Sequence, residues 1–141
     1  MIDFAGKNLS GVDFSGVDLT GANFKKTNLS HADLTGANLE DSILIRADLQ
    51  NAVLRGSCLI QARLQQAMLW KAELGEACLK SCNLKNSNLK MAKLPSANLQ
   101  KVNANHADLT CADLTEADLC YADFSHALLV NTNQVFQMLF I

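Results

Sequence analysis

A large apolar residue stands at every fifth position of this chain, from Phe4 to Leu129. It is Leu or Phe at 25 of 26 places, the exception being Ala104. Two positions earlier stands a small residue, which is Ala at 16 of the 26 places, and the position between favours Asn or Asp. The chain from residue 2 to residue 131 is therefore 26 units of five. We number their positions small (first), middle (second), large (third), fourth and fifth.

A period of five excludes the two commonest regular structures. Residues five apart on a helix drift by about 140°, so the large residues cannot form one stripe. In a flat strand the side-chain period is two, and an odd spacing would send successive large residues to opposite faces. The pattern predicts a chain that turns by a fixed angle every five residues and stacks its coils through backbone hydrogen bonds, which is a solenoid.

The units Ala32-Asp33-Leu34, Ala37-Asn38-Leu39 and Ala117-Asp118-Leu119 resemble the pentapeptide repeat family. The resemblance covers residues 2 to 131 and implies an all-β fold, a right-handed quadrilateral parallel β-helix with four repeats per coil. Its small and large residues point inward. Twenty-six repeats then give about 6.5 coils, in a column about 31 Å long. We predict a β-helix over residues 1–131 and an apolar capping or dimerisation tail over 132–141.

The predicted core is filled by its own side chains and needs no cofactor. Ala104 in place of Leu should leave a gap, and Val102 two residues earlier, where Ala is usual, should refill part of it. A solenoid packed in this way has no internal pocket. No catalytic constellation emerges from the alignment of the coils, so we expect a protein that is not an enzyme.

Charge is uneven between the predicted faces, although the formal net charge is only -2. Four repeats per coil place residues 20 apart above one another. The face centred on Phe4, Phe24 and Leu44 carries net charge +3, and we call its five cations the basic face: Lys25, Lys26, Arg46, Arg63 and Lys85. The opposite face carries net charge -4. These charges either keep the protein soluble or face an acidic partner. We do not expect the protein to bind nucleic acid, because the sequence lacks aromatic stacking platforms and an overall basic charge.

Apolar residues replace polar ones at outward positions in the middle of the chain. The middle position holds an apolar residue at Ile43, Val53, Cys58 and Met68. The fourth position does so at Ile45, Ile60 and Trp70. We call four of these the apolar band and predict that it binds a partner, with Trp70 as the hot spot: Ile43, Ile45, Met68 and Trp70. The alternatives are single surface apolars and shielding by neighbours such as Lys90, one coil beyond Trp70.

Residues able to bear chemistry are few. His106 and His126 are 20 apart and should stack, as should Cys58 with Cys78, but two ligands do not make a zinc site and we predict no metal. Five cysteines without metal spacing indicate free thiols in a reducing compartment. No apolar run approaches a membrane span, and Met1 to Leu9 lack the features of a signal peptide, so we expect a cytoplasmic protein away from membranes.

These observations favour a non-enzymatic protein–protein interaction module that presents a rigid solenoid surface. The family resemblance implies an alternative, a protein that binds and protects DNA gyrase by imitating duplex DNA, although such mimics are strongly acidic. Six of the last seven residues are apolar. We expect the tail to make a homodimer at the C-terminal end of the column, or else an intramolecular cap, through Phe136, Leu139, Phe140 and Ile141.

Overall fold

The computed structural model describes residues 1–133, which form one stack of coils without helices or extended strands. Strand pairing is reduced to single-residue parallel bridges at every fifth residue. Each middle residue pairs with the middle residue 20 positions on, from Asp3 with Asn23 to Asp113 with Asn133. Four repeats therefore complete one coil, and the regular ladder reaches Asn133. The described chain is a quadrilateral parallel β-helix.

Each repeat ends in a tight turn that redirects the chain by one side of the square. The N–H of a small residue donates to the C=O of the large residue three positions earlier, as from Ala32 to Leu29 at 3.0 Å. The fifth residue of every repeat has positive φ, between +54° and +69°, which marks a type II turn. Glycine fills only six of these 26 places, among them Gly36 and Gly56, where it adopts this conformation without strain.

The coils are joined by three backbone hydrogen bonds per repeat. The large residue Leu29 donates its N–H to the C=O of Asp48 at 2.7 Å, and the fifth residue His31 donates to Gln50 at 2.9 Å. The middle residue of the following repeat donates to the preceding coil, as Asp33 does to Val12 at 2.9 Å. With the turn bond, four of five backbone N–H groups are used. The fourth residue's N–H finds no backbone acceptor within the described ladder.

The core is a column of large and small residues, as the sequence predicts. Nearly all of those between Leu19 and Ala117 are buried, Ala104 and Val102 included. In the first coils Phe24 stacks on the half-buried Phe4, with ring centroids 5.0 Å apart, and Phe14 lies 5.6 Å from Phe4. Outward positions are left for function. Within residues 1–133 no helix has the length and apolar character needed to cross a membrane.

Candidate partner-binding surface

The N–H of the fourth residue is capped by a side chain in most repeats. The Oδ1 atom of an Asn or Asp at the middle position accepts it, as Asp33 does from Thr35 at 2.9 Å and Asn83 from Lys85 at 3.0 Å. This Asx turn satisfies the one backbone donor that the ladder leaves over. The sequence shows the preference for Asn and Asp, and the structure supplies its cause.

The caps are missing from the middle of the column. Seven repeats between residues 43 and 80 have no Asn or Asp at the middle position, which holds Ile43, Val53, Cys58, Arg63, Met68, Glu73 and Cys78. The N–H groups two residues later have no acceptor among residues 1–133: those of Ile45, Arg55, Ile60, Gln65, Trp70, Gly75 and Lys80. Four of these middle residues stand out from the sequence because they are apolar. Arg63, Glu73 and Cys78 also break the preference for Asn or Asp, but this was not recognised, and Arg63 was predicted only as a cation of the basic face.

The basic face is a vertical column whose cations form no ion pairs within the described residues. Bridges align Asn23, Ile43, Arg63 and Asn83 in one stack. Its cations are all exposed, and none belongs to an ion pair of the described chain: Lys25, Lys26, Arg46, Arg63 and Lys85. The opposite face differs.

On that opposite face the cations are neutralised locally. Arg55 and Lys93 both approach Glu73, with N to O distances of 3.7 and 3.9 Å. These pairs are largely exposed and contribute little to stability. They place a negative charge beside both cations of that face, whose net charge is -4, whereas the basic face carries net charge +3.

The apolar band lies on two adjacent faces instead of one. Ile43 and Ile45 belong to the column of the basic face, whereas Met68 and Trp70 belong to the next face, one coil further on. Met68 is 41% exposed, and the other three side chains are half-buried. The band therefore straddles the corner at which the basic face ends.

The side chain that covers Trp70 is not the one the sequence suggested. Lys71 places its Nζ 4.4 Å from the centroid of the Trp70 ring, a cation–π contact. Lys90, considered as a shield one coil beyond, instead pairs with Asp108 at 3.2 Å. Lysine side chains are long and flexible, and register alone does not fix where their amines go.

Three cationic residues of the basic face lie near Gln65 in the stack. Arg46 donates its Nε to Gln66 Oε1 at 2.6 Å, which holds its guanidinium at the same corner. The backbone of Lys85 lies one coil on, where its C=O accepts from the Gln66 N–H at 3.0 Å. Arg63 occupies the cap position itself. In addition, the Gln65 Oε1 atom is buried and has no hydrogen-bond partner within the described residues.

Histidines and cysteines behave largely as the register predicts. The rings of His106 and His126 stack with centroids 4.8 Å apart, which confirms the predicted pair. Cys58 and Cys78 pair through a backbone β-bridge, and none of the five cysteines forms a disulfide within residues 1–133. Burial, with a smaller effect from Cys78, raises the pKa of Cys82. Residues 1–133 bring together no group of three His, Cys, Asp or Glu side chains that could hold a metal ion.

Several aspartates at the middle position are hydrogen-bonded twice. The Ser15 hydroxyl and the Ser15 backbone N–H both donate to Asp13. The two hydrogen bonds lower the pKa of that carboxyl, with the larger effect from the hydroxyl. Thr20 does the same to Asp18. Hydrogen bonds to the charged form favour ionisation. These caps are therefore anionic at neutral pH.

The sequence of the described solenoid matches a known family. The model of the pentapeptide repeats matches residues 8–46, 32–70, 47–86, 62–100 and 97–133. The chain belongs to the pentapeptide repeat family. Its members adopt a right-handed quadrilateral β-helix, which sets the handedness of the column, and they are in general structural or interaction modules.

Two solved structures are similar over most of the chain. A pentapeptide repeat protein (Rfr23) from the cyanobacterium Cyanothece 51142 is 26% identical, with a TM-score of 0.66, over 93% of this chain and 90% of that one. A pentapeptide repeat protein from the Arabidopsis thaliana thylakoid lumen is 29% identical, with a TM-score of 0.60, over 80% of this chain and 68% of that one.

A more distant match concerns fluoroquinolone resistance. A structure of QnrB1, a plasmid-mediated fluoroquinolone resistance protein, is 18% identical over 90% of this chain and 89% of that one, with a TM-score of 0.49. A likeness at this level carries no argument about function. No curated protein matches the chain. The residues expected to dimerise lie outside the described residues: Phe136, Leu139, Phe140 and Ile141.

Proposed function

We propose that this protein is a non-enzymatic interaction module, a rigid column of about 6.5 coils that binds a protein partner through its middle. The partner surface consists of the basic face and the apolar band. The core of the column is filled by the protein's own Leu, Phe and Ala side chains, so a partner can bind only at the outer surface. Five cysteines that form no disulfide within residues 1–133 suit a reducing compartment such as the cytoplasm, which is part of the proposal.

One observation carries the proposal: the five cations of the basic face form no ion pair within residues 1–133, while Arg55 and Lys93 of the opposite face both approach Glu73. A column of like charges attracts an acidic surface and speeds association with it. The apolar band at the corner of the same face adds area that a partner can bury. Together they favour an acidic protein with an apolar contact residue.

The experiment is affinity capture from extracts of the source organism, followed by affinity measurement with the purified partner. Trp70→Ala should weaken binding by about 30-fold, because a central aromatic typically contributes about 2 kcal/mol or more. The double variant Lys25→Gln/Lys85→Gln should reduce the association rate and flatten its salt dependence. Circular dichroism should show that all variants keep the fold.

Matched control variants distinguish loss of the proposed surface from the general effect of removing an aromatic side chain or two charges. Tyr121→Ala removes an aromatic side chain that is 75% exposed and lies outside the apolar band. Lys80→Gln/Lys101→Gln removes two exposed charges from another face. Both should leave affinity within about twofold. A partner whose binding is independent of salt and indifferent to Trp70→Ala would contradict the proposal.

Gyrase protection through imitation of duplex DNA is less well supported. Duplex DNA presents negative charge along its whole length. Here residues 42 to 103 carry nine basic and three acidic side chains. A supercoiling assay with fluoroquinolone tests the alternative, and we expect no protection from excess protein.

A further inference from the structure

The Gln65 N–H is one of two uncapped donors in the column of the basic face, the other being the Ile45 N–H one coil earlier. In the same column Asn23 and Asn83 accept from the N–H groups of Lys25 and Lys85, at 3.1 and 3.0 Å. In the Gln65 repeat the cap position holds Arg63. A guanidinium has five donors and no acceptor, so it cannot cap an N–H group. Within the described residues this turn lacks the acceptor that Asn23 and Asn83 provide to theirs.

Three cations that form no ion pair within residues 1–133 belong to residues near this N–H along the stack. Arg63 is two residues before Gln65 on the same strand, Lys85 is in register one coil on, and Arg46 reaches the Gln65–Gln66 corner from one coil earlier. No ion pair within residues 1–133 includes any of the three. A backbone donor without an acceptor, near three cations that form no ion pair, has the composition of an anion site.

We propose that Arg46, Arg63, Lys85 and the Gln65 N–H bind a carboxylate from an acidic segment of the partner. That carboxylate takes the place of the missing cap and pairs with the Arg63 guanidinium at the same time. The inference rests on the interaction function proposed above and specifies its chemistry.

The column itself indicates a carboxylate. Asp3 and Asp123, at the ends of the same stack, cap the N–H groups of Ala5 and Ser125 with carboxylate oxygens at 3.0 and 2.9 Å. The turn therefore accommodates a carboxylate at this position. Half-buried Ile43 lies one coil before Arg63 and offers an apolar contact to a residue beside the bound carboxylate.

The test uses a fluorescently labelled hexaglutamate peptide, with hexaglutamine as the uncharged comparison. Binding is followed by fluorescence anisotropy and by backbone amide NMR shifts of the full chain. Hexaglutamate should bind and shift the Gln65 amide, and hexaglutamine should do neither. Arg63→Asn installs the cap of the neighbouring repeats, so it should weaken hexaglutamate binding by at least about tenfold while the fold becomes no less stable.

The matched control is Arg55→Asn, which removes one positive charge from the opposite face and should change affinity by less than about twofold.

Equal losses in the two variants would overturn the carboxylate site, since binding would then follow net charge alone, and the interaction function would stand. A hexaglutamate complex without a shift of the Gln65 amide would also overturn it. Tighter binding of a hexaphosphoserine peptide with that shift would reassign the site to phosphate. No binding of hexaglutamate would reject the inference, whereas the capture experiment tests the interaction function separately.

Discussion

Single residues in the core of this solenoid differ in whether their polar atoms are satisfied. Ser57 and Ser87 occupy small positions and donate their hydroxyls to the C=O groups of Leu54 and Leu84, at 2.7 and 2.6 Å. Ser42 occupies an equivalent position, is fully buried, and its Oγ has no partner in the described chain. An unsatisfied buried hydroxyl costs about 1 to 3 kcal/mol. Ser42 is therefore a local weak point.

Replacing Ser42 with Ala should stabilise the protein by about 1 kcal/mol. The residues one coil away on either side, Ala22 and Ala62, show that the site fits a methyl group. Urea unfolding measures the change. Ser57→Ala is the control: it removes a hydroxyl that makes a hydrogen bond, and it should bring no gain. A loss of stability in Ser42→Ala would mean that its hydroxyl has a partner in solution.

The capping aspartates should make stability depend on acid. The folded-state pKa of Asp13 and Asp18 is lowered by hydrogen bonds from Ser15 and Thr20. Their contribution is complete above the unfolded-state pKa of about 3.9, and it is lost as the pH falls through the lower folded-state value. Asn keeps the Oδ1 cap and does not titrate. The double variant Asp13→Asn/Asp18→Asn should therefore lose less unfolding free energy between about pH 6 and pH 2 than the wild type. Parallel pH profiles would contradict this.

At the scale of the repeat, we expect that a cap can be introduced by substitution into an uncapped turn and will stabilise it. Cys58 lies in a column where Asn38, one coil earlier, caps the Glu40 N–H at 3.1 Å. Cys58→Asn should cap the Ile60 N–H and raise the free energy of unfolding by about 0.5 to 1.5 kcal/mol. Cys58→Ala provides no acceptor and should give no such gain. Amide hydrogen exchange at Ile60 should slow only in the Asn variant, and unchanged exchange there would show that no cap forms.

The sequence predicted the repeat better than it predicted the surface. A period of five fits few regular backbones, and because each unit repeats the same signal, the inward residues and the His106–His126 stack followed from the register. The reason for Asn and Asp at the middle position did not follow, because it depends on which N–H the ladder leaves unused. Arg63 was predicted as part of a charged strip, but its place in a missing cap needed the hydrogen bonds. The cover of Trp70 by Lys71 depends on a flexible side chain and could not be inferred from spacing.

For the whole molecule, the main difference is between its middle and its ends. Capped turns predominate toward both ends, whereas seven uncapped turns, the basic face's central cations and the apolar band coincide in the coils between residues 43 and 85. Under the proposed function, local stability and partner binding compete at these turns. Asn at position 63 would complete the turn and remove the cation. This is why the Arg63→Asn variant separates the two effects: binding should fall while stability does not.

The ends of the column govern its association with a second copy. A parallel β-helix ends in backbone groups that lack a neighbouring coil, an edge that must be covered to avoid open-ended assembly. At the C-terminal side of the described chain Leu128 and Val130 are 53% and 55% exposed. The seven residues from 135 to 141 include six apolar ones.

We predict that this end forms a homodimer. Light scattering at micromolar concentration should give twice the chain mass for the full chain and the monomer mass for a chain ending at Asn133, which keeps the last bridge of the ladder. Phe136→Glu/Phe140→Glu in the full chain should also give a monomer, since two buried charges cannot be accommodated in an apolar interface. A monomeric full-length wild type would contradict the dimer and favour a tail that caps its own column.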